Sequence, residues 1–364
     1  MKIEMPRLSD YHVHGRQFPK LADIVPQSAR YCGRMLVMPN LTPPVLTAAD
    51  AVAYHRSVSQ FAGAHVDVLA TLKLTGATTP DVVRACREFP QIAGFKLYPA
   101  GVTTHSADGI PADVIDAPQG HTWFGDVLDV MQREKLVLCL HGEHPREDDP
   151  FLREPAFHLF VGWVVANFPK LRVVMEHITT RESVDFVRRL TKAGCNLGAT
   201  ITAHHLMLHF GHLCGTAASA DESRYRCGDG KLHPHAFCMP VLKRSPDRAA
   251  LVRAATSGEP WFFLGSDSAP HPVDQKEAAC GCAGVFSAPV LPEALAQVFA
   301  DHGEVDKLAG FVAHSGDRFY GRETVDAPPV RVVNRRWTVP ERVCGFVPFM
   351  AGCDLDWRME SASY

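Results

Sequence analysis

The sequence lacks an excess of charge of either sign: 37 basic residues stand against 40 acidic ones, a formal net charge of −3 over 364 residues. Surfaces that bind nucleic acids or anionic membranes normally need a cluster of basic residues. The sequence also lacks an apolar run long enough to cross a bilayer, and its first residues, MKIEMPRLSD, lack the apolar core of a signal peptide. We therefore expect a cytoplasmic protein with no nucleic-acid partner and no membrane partner.

Cysteine is not scarce, but the 11 cysteines are scattered through apolar segments such as LVLCLHGE and AFCMPVLK. Without an export signal, we expect reduced thiols rather than disulfides. The one tight pair, Cys280 and Cys282, has no further ligands nearby at the spacing of a structural zinc site. We expect these two thiols to pack in a loop.

Short apolar runs alternate with amphipathic segments over most of the chain. The apolar runs predict strands at Leu8–His14, Met35–Asn40, Val66–Leu74, Ile92–Tyr98, Leu136–His141, Leu171–His177, Cys195–Ile201 and Trp261–Asp267. Apolar residues at three-to-four spacing predict helices, for example at Ala48–Phe61, Pro80–Phe89, Phe124–Glu134, Phe157–Phe168, Glu182–Ala193 and Asp247–Ser257. Eight strand–helix repeats predict the α/β class and a closed (β/α)8 TIM-type barrel.

Two regions interrupt this alternation. Residues 211–234 are rich in Gly, Ser, Asp and Arg and predict a long surface loop. Residues 322–364 contain several prolines and short strand-like pieces, VRVV and CGFVPF, which predict an appended structure packed on the barrel. No low-complexity linker divides the chain, so we expect residues 1–364 to form one barrel domain.

Polar residues stand at the ends of several predicted strands, where a barrel of this type carries its active site. One carboxylate, one lysine and four histidines share this placement: His12, His14, Lys96, His141, His177 and Asp267. In a strand, residues i and i+2 point to the same side, so the two imidazoles of DYHVHGR converge. Imidazole and carboxylate are common zinc ligands. The joint pattern predicts a metal site, although each residue alone has an ordinary structural explanation.

Other histidines form weaker patterns. His233 and His235 follow the irregular loop rather than a core strand. His205 and His209 have the i,i+4 spacing of two ligands on one helix face, but a packed or solvated helix start explains them as well.

With these residues in place, the chain resembles the shorter, bacterial-type dihydroorotases of the amidohydrolase superfamily over nearly its whole length. The matching segments are DYHVHGR, VMPNLTPPV, GFKLYPAGVTTHS, LHGE, EHITT, ATIT with HHL, CMPVLKR, GSDSAPH, CGCAG and VPFMAG. The His-x-His pair marks only the superfamily, whereas GFKLYPA followed by TT, EHITT, and SDSAPH followed by CGCAG are more specific. The resemblance implies a zinc-dependent enzyme of de novo pyrimidine biosynthesis that reversibly cyclises N-carbamoyl-L-aspartate to L-dihydroorotate, acting as a homodimer.

The resemblance also implies two zinc ions and assigns their ligands. His12, His14 and Asp267 would bind the more buried ion, and His141 and His177 the other. An ammonium has no lone pair for a metal. Lys96 is therefore implied to react with carbon dioxide, giving a carbamate that bridges the ions together with a hydroxide. Asp267 would also carry the proton in catalysis.

The substrate contacts implied by the resemblance fall into three groups. Arg16, Asn40 and His271 would hold the substrate carboxylate, for which a guanidinium is a bidentate partner. The backbone of Met239, Ala283 and Gly284 would contact the ring amide. A mobile loop that closes over the substrate is implied at Thr103 and Thr104.

The sequence departs from the dihydroorotase pattern at two places, and two other functions are alternatives to the one implied by the resemblance. The loop at 211–234 is an insertion relative to compact members, and Met239 stands where leucine is expected. Another cyclic-amide hydrolase, of the hydantoinase or allantoinase type, would share the metals but would not need the carboxylate-binding residues. A non-catalytic dihydroorotase-like scaffold would be expected to have lost metal ligands, whereas this chain has all six.

Overall fold

Eight parallel strands pair in chain order and form a nearly closed barrel, so the predicted (β/α)8 fold is confirmed. This computed structural model describes residues 1–103, 106–216, 232–279 and 281–360. The barrel consists of β2 to β9, whose apolar runs are buried on both sides, as is usual in parallel sheets. The strands are β1 (Lys2–Met5), β2 (Leu8–Val13), β3 (Cys32–Val37), β4 (Asp67–Leu74), β5 (Ile92–Leu97), β6 (Val137–His141), β7 (Arg172–Glu176), β8 (Leu197–Ile201), β9 (Phe262–Leu264), β10 (Val330–Thr338) and β11 (Asp354–Met359).

Helices follow most of the barrel strands and cover the outside of the sheet. Several begin at side-chain caps: Thr47 accepts a hydrogen bond from the N–H of Asp50, and Thr180 accepts one from Ser183. None of the described helices is long and apolar enough to cross a membrane. The helices are α1 (Lys20–Ala29), α2 (Ala48–Ala62), α3 (Pro80–Ala85), α4 (Ala112–Asp116), α5 (Thr122–Arg133), α6 (Arg153–Asn167), α7 (Arg181–Lys192), α8 (Ala203–Met207), α9 (Phe210–Leu213), α10 (Ser245–Ala255), α11 (Val273–Lys276), α12 (Leu291–Asp301) and α13 (Ser315–Tyr320).

The first and last barrel strands meet beyond their regular ends. A parallel bridge joins Val13 to Ser268, and the N–H of Asp267 donates to the carbonyl of His12 at 2.8 Å. Residues 12–14 therefore lie beside residues 266–268, although they are about 250 positions apart in the sequence.

Large side chains fill the interior of the barrel below this closure. Alternate strand residues such as Leu36 and Val137 form a buried cluster separate from the core beneath the outer helices. Tyr320 of α13 joins this cluster by stacking on Tyr11, with ring centroids 4.1 Å apart. Because one end of the barrel is closed by these side chains, polar groups can reach solvent only at the carboxyl ends of the strands.

The N-terminal strand and the tail form a second, antiparallel sheet in the order β1–β10–β11. It is attached to α12, where Glu293 and Gln297 accept hydrogen bonds from the backbone of Met359 and Asp356. VRVV lies in β10, but the prediction of a strand-like piece at CGFVPF is wrong. Cys344 and Gly345 have φ angles of 50° and 82° there, and they form a turn.

Two other predictions differ from the structure. Helix α9 occupies the start of the predicted loop, whose residues 217–231 lie outside the described part of the chain. Eight described cysteines are free, but Cys353 is disulfide-bonded, so the expectation of reduced thiols is wrong at that position.

Candidate functional site

Three of the predicted ligands converge where the first and last strands meet. His12 is the penultimate residue of β2, and His14 follows the end of that strand. The Nε2 atoms of His12 and His14 lie 3.3 and 3.2 Å from Oδ1 of Asp267. Burial alone would raise the pKa of Asp267, but the charge and hydrogen bond of His12 and the hydrogen bond of His14 hold it well below its usual range. Asp267 is therefore a carboxylate at neutral pH.

The other two histidines extend this group around the barrel mouth. His141 ends β6 and His177 follows β7. The ring centroid of His177 lies 5.1 Å from that of His12 and 4.9 Å from that of His141. His12, His177 and Asp267 are all buried, and they offer ligand atoms within 4.8 Å of one another. The donor set therefore fits a divalent metal ion.

Lys96 lies in β5 and is fully buried. Its Nζ has no hydrogen-bond partner among the residues that the structure describes, and it lies 5.4 Å from the ring centroid of Tyr98. Burial lowers the pKa of Lys96, although the charges of Glu176 and Asp267 act in the opposite direction. An unsatisfied ammonium is costly in such a place. Lys96 is therefore a buried amine at the mouth of the barrel whose charged form is disfavoured.

Two carboxylates that the sequence analysis did not assign hold the imidazoles in orientation. Glu176 accepts a hydrogen bond from Nδ1 of His12 at 2.9 Å and one from Oγ1 of Thr200 at 2.6 Å. Glu143 lies 2.7 Å from Nε2 of His141. Bonds of this kind fix the ring tautomer and leave the other nitrogen for a metal. Glu143 is part of the matching segment LHGE and Glu176 is part of EHITT. These two motifs could therefore have pointed to both glutamates from the sequence.

Three of the six described non-glycine residues with a positive φ lie at the same place. Arg16, His177 and Asp267 have φ angles of 59°, 40° and 45°, a region that residues other than glycine rarely adopt. Local hydrogen bonds hold two of them: the N–H of His177 donates to Thr200 at 2.7 Å, and that of Asp267 to His12. Such conformations are commonest at functional sites.

A cleft of about 480 Å³, its open mouth included, lies over these residues. Of the predicted site residues, Lys96 lies outside the lining, and Thr104 lies outside the described part of the chain. Oγ1 of Thr103 borders the cleft with no hydrogen-bond partner among the described residues. The lining is formed by His12, His14, Arg16, Asn40, Tyr98, Thr103, His141, His177, Met239, Asp267, Ala269, His271, Ala283 and Gly284.

One side of the cleft presents a fixed cation. The Nε of Arg16 donates to the carbonyl of Pro270 at 3.1 Å, and its Nη2 lies 2.9 Å from Nε2 of His271. Burial, together with the charge of Arg16, lowers the pKa of His271 to about 3, so its imidazole is neutral and can accept that hydrogen bond. A guanidinium held in this way is suited to a carboxylate in the cleft.

The remaining histidine patterns stay apart from this cleft. His205 does not pair with His209: its Nδ1 lies 2.8 Å from Oγ1 of Thr202 and its Nε2 3.1 Å from the carbonyl of Pro240. His209 accepts from the N–H of Gly211 at the start of α9. His235 contacts Glu277 at the surface.

His204, His205 and Cys238 form a second group of close, buried donors.

Polar groups at the carboxyl ends of a (β/α)8 barrel, with a buried histidine–aspartate donor set, define a hydrolase-type active site. No protein-family model matches the chain. The chain is 41% identical over 364 residues to the dihydroorotase of Shewanella amazonensis, covering 98% of this chain and 99% of the relative. It is 42% identical over 366 residues to that of Hahella chejuensis, with the same coverage.

Solved structures agree with these relatives. The dihydroorotase of Saccharomyces cerevisiae, in complex with 5-fluoroorotic acid, matches with a TM-score of 0.87 and 30% identity, covering 99% of this chain and 98% of that one. The enzyme of Campylobacter jejuni matches with a TM-score of 0.84 and 32% identity, covering 99% and 97%. An L-hydantoinase from Arthrobacter aurescens, at 14% identity and a TM-score of 0.76, covering 100% and 85%, shares the fold alone.

The chain belongs to the dihydroorotase family and is therefore a cyclic amidohydrolase of pyrimidine biosynthesis. The resemblance inferred from the sequence motifs is confirmed.

Proposed function

We propose that this chain opens and closes the ring of L-dihydroorotate with the help of two zinc ions, N-carbamoyl-L-aspartate being the open form. One observation carries the proposal: a single cleft joins a buried histidine–aspartate donor set to the fixed guanidinium of Arg16. The substrate offers a scissile amide and a carboxylate, and the cleft holds groups suited to both ends.

The ligand assignment is the one that the resemblance implies, and the proximity of the mouth residues supports it. His12 and His14, which both lie beside Oδ1 of Asp267, would hold one ion together with that carboxylate, and His141 and His177 would hold the other, with a carboxylated Lys96 as the shared ligand. His177 also lies close to His12 and Asp267, as two neighbouring ions require. When bound, such ions lower the pKa of water and polarise a carbonyl group.

Asp267 is proposed as the proton carrier. Its pKa lies well below the usual range, because of the histidines around it, so the carboxylate is available as a base at neutral pH. It can take the proton from the attacking water and return it to the ring nitrogen as the amide bond breaks. In the direction of cyclisation it takes the proton from the carbamoyl nitrogen as that nitrogen attacks the side-chain carboxyl carbon, and returns it to the oxygen that leaves this carbon as water.

The substrate carboxylate is assigned to Arg16, Asn40 and His271, which line one side of the cleft. Met239, Ala283 and Gly284 line the cleft as well. Their backbone is assigned to the ring amide. Thr103 would donate its hydroxyl to the bound substrate, with Thr104 beside it in sequence, and a loop closing there would exclude water.

A hydantoinase-type activity is the alternative, since the hydantoinase fold is the same. Plain hydantoins lack the free carboxylate that Arg16 would bind. The scaffold alternative is disfavoured because all six predicted ligands are present. The homodimer and the cytoplasmic location implied by the resemblance are proposals on that ground alone.

Consumption of L-dihydroorotate by the purified, zinc-loaded protein, with a hydantoin run beside it, tests the substrate. Rapid ring opening of dihydroorotate alone is expected. Turnover of the hydantoin alone would retain the metal site but refute the substrate. Inactivity on both would support the scaffold alternative.

Replacement of the guanidinium, Arg16→Ala, tests the carboxylate site. We expect KM for dihydroorotate to rise about 10- to 100-fold, because a charged hydrogen bond contributes about 1.5–3 kcal/mol. Metal content should stay at the wild-type value. Arg84→Ala, which removes an exposed arginine paired with Asp81, is the matched control and should leave KM unchanged. Unchanged kinetics in Arg16→Ala would remove this residue from the substrate site.

A further inference from the structure

Lys276 is a buried lysine directly behind one side of the cleft. It is the last residue of α11 and only 3% exposed. Its Nζ donates to three backbone carbonyls: Phe237 at 2.8 Å, Cys282 at 2.9 Å and Gly284 at 2.8 Å. An ammonium has three N–H donors, so its hydrogen-bonding capacity is filled by the backbone.

These carbonyls belong to the two segments that form one side of the cleft. Phe237 is two positions before Met239, and Cys282 and Gly284 enclose Ala283. A further bond, from the N–H of Gly284 to the carbonyl of Phe237 at 2.9 Å, joins the two segments. Residues 237–241 and 281–284 contain no helix and no named strand. These hydrogen bonds therefore contribute directly to the mutual position of the two segments.

The segments also need a particular backbone shape. Gly284 has a φ angle of 150°, and a Cβ at this position would lie 2.4 Å from the carbonyl oxygen of Ala269. Bonds from a charged donor are about twice as strong as neutral ones. A single ammonium at the centre of three carbonyls is thus well placed to hold this shape.

We propose that Lys276 is a positioning residue for the reaction, because its ammonium fixes the backbone of Met239, Ala283 and Gly284 that faces the substrate's ring amide. The proposal rests on the proposed function for the identity of that amide. Lys276 does not line the cleft, so it acts through the two segments and not by touching the substrate.

The protonation of Lys276 gives this proposal a distinctive signature. Burial lowers its pKa to about 8, with the charge of Arg16 acting in the same direction and those of Cys238 and Cys282 opposing it. His271 and His204 also lie within its electrostatic reach. Since the pKa is lowered, the proton is lost as the pH rises through about 8. The neutral amine has two N–H donors for three carbonyls.

The test compares the zinc-loaded wild type with Lys276→Met. We expect KM for dihydroorotate to rise at least ~10-fold at pH 7 in the variant, while kcat changes less than about 3-fold and the metal content is unchanged. In the wild type, KM should rise as the pH passes 8, and this rise should be absent in Lys276→Met. A merely structural lysine would lower the melting temperature without producing this pH dependence.

Arg7→Met is the matched control, because Arg7 is also a buried cation, 9% exposed, that donates to three backbone carbonyls, those of Ala29, Arg30 and Cys32, outside the lining of the cleft. It should lose stability without a change in KM. An unchanged KM in folded Lys276→Met would overturn the proposal. Should that variant fail to fold, a wild-type KM that stays flat between pH 7 and pH 9.5 would overturn it.

The failure of the proposed function would look different. If the wild type opens a hydantoin and not dihydroorotate, the substrate assignment fails. The same variants and pH series, run with the hydantoin, then still decide whether Lys276 positions the segments that face a ring amide.

Discussion

Two buried groups of histidines lie in this barrel, and they differ in what surrounds them. The mouth cluster consists of His12, His14, His141, His177 and Asp267, and the inner cluster of His204, His205 and Cys238. Each contains three donors within 4.8 Å of one another, so distance alone does not separate them.

The mouth cluster is preorganised for a cation by carboxylates. Glu176 engages Nδ1 of His12 and Glu143 engages Nε2 of His141, whereas Asp267 faces Nε2 of His12 and Nε2 of His14. In this arrangement the lone pairs are directed to a shared centre and negative charge is supplied to it.

In the inner cluster two of the three donors are already hydrogen-bonded, whereas neither ring nitrogen of His204 has a hydrogen-bond partner among the described residues. Both ring nitrogens of His205 already contact oxygens, of Thr202 and Pro240, and the thiol of Cys238 also donates to the carbonyl of Pro240 at 3.3 Å. Burial raises the pKa of Cys238 to about 12, so a metal would have to displace a firmly held proton. We therefore expect the mouth cluster, rather than the inner cluster, to be the metal site.

The largest effect is expected at the centre of the mouth cluster. Asp267→Ala removes a ligand and the proposed proton carrier, so kcat for dihydroorotate should fall by about 10⁴-fold or more. Metal content, measured by atomic absorption, should fall too. Asp306→Ala, which removes an exposed carboxylate, is the control. Near-normal turnover in Asp267→Ala would refute the mechanism.

A smaller effect is expected from the partner of His12. Glu176→Gln keeps the size of the side chain but removes its charge, and loss of such a partner lowers metal affinity by about 10- to 100-fold. Equilibrium dialysis against a zinc chelator measures this directly. Glu293→Gln changes a similarly buried glutamate that serves the tail sheet, and it should leave zinc affinity unaltered. Equal zinc affinities in the two variants would argue against an orienting role for Glu176.

The sequence predicts the mouth ligands better than their partners, for a physical reason. A histidine at the end of an apolar run is visible locally, because the run marks the strand and the barrel rule places its end at the mouth. The contact from Glu176 on β7 to His12 on β2 spans the barrel and depends on strand register, which local patterns do not contain. The same holds for Lys276, whose carbonyl partners come from two irregular segments.

The end of the last barrel strand is a second feature that local sequence patterns do not determine. The pattern predicts a last strand that reaches Asp267, but β9 ends at Leu264, and Asp267 lies in an irregular segment with a φ of 45°. Its position depends on hydrogen bonds to the first strand rather than on a strand of its own. Asp10 contributes to this closure by accepting from the N–H of Ser266 at 2.8 Å.

The smallest effect is expected in the inner cluster. Cys238→Ser keeps a donor for the carbonyl of Pro240, so we expect a loss of about 1 kcal/mol or less in the free energy of unfolding. His204→Gln should likewise leave the number of bound metal ions unchanged, since neither residue belongs to the mouth cluster.

Cobalt loading adds a specific readout, because a thiolate ligand gives an intense charge-transfer band that nitrogen and oxygen ligands do not. If the wild type shows this band and Cys238→Ser abolishes it together with one equivalent of metal, the inner cluster binds a metal after all. The hydrogen bonds of His205 and Cys238 would then not prevent metal binding at the inner cluster. The difference between the two clusters would then lie in the charge of Asp267, which belongs to the mouth cluster.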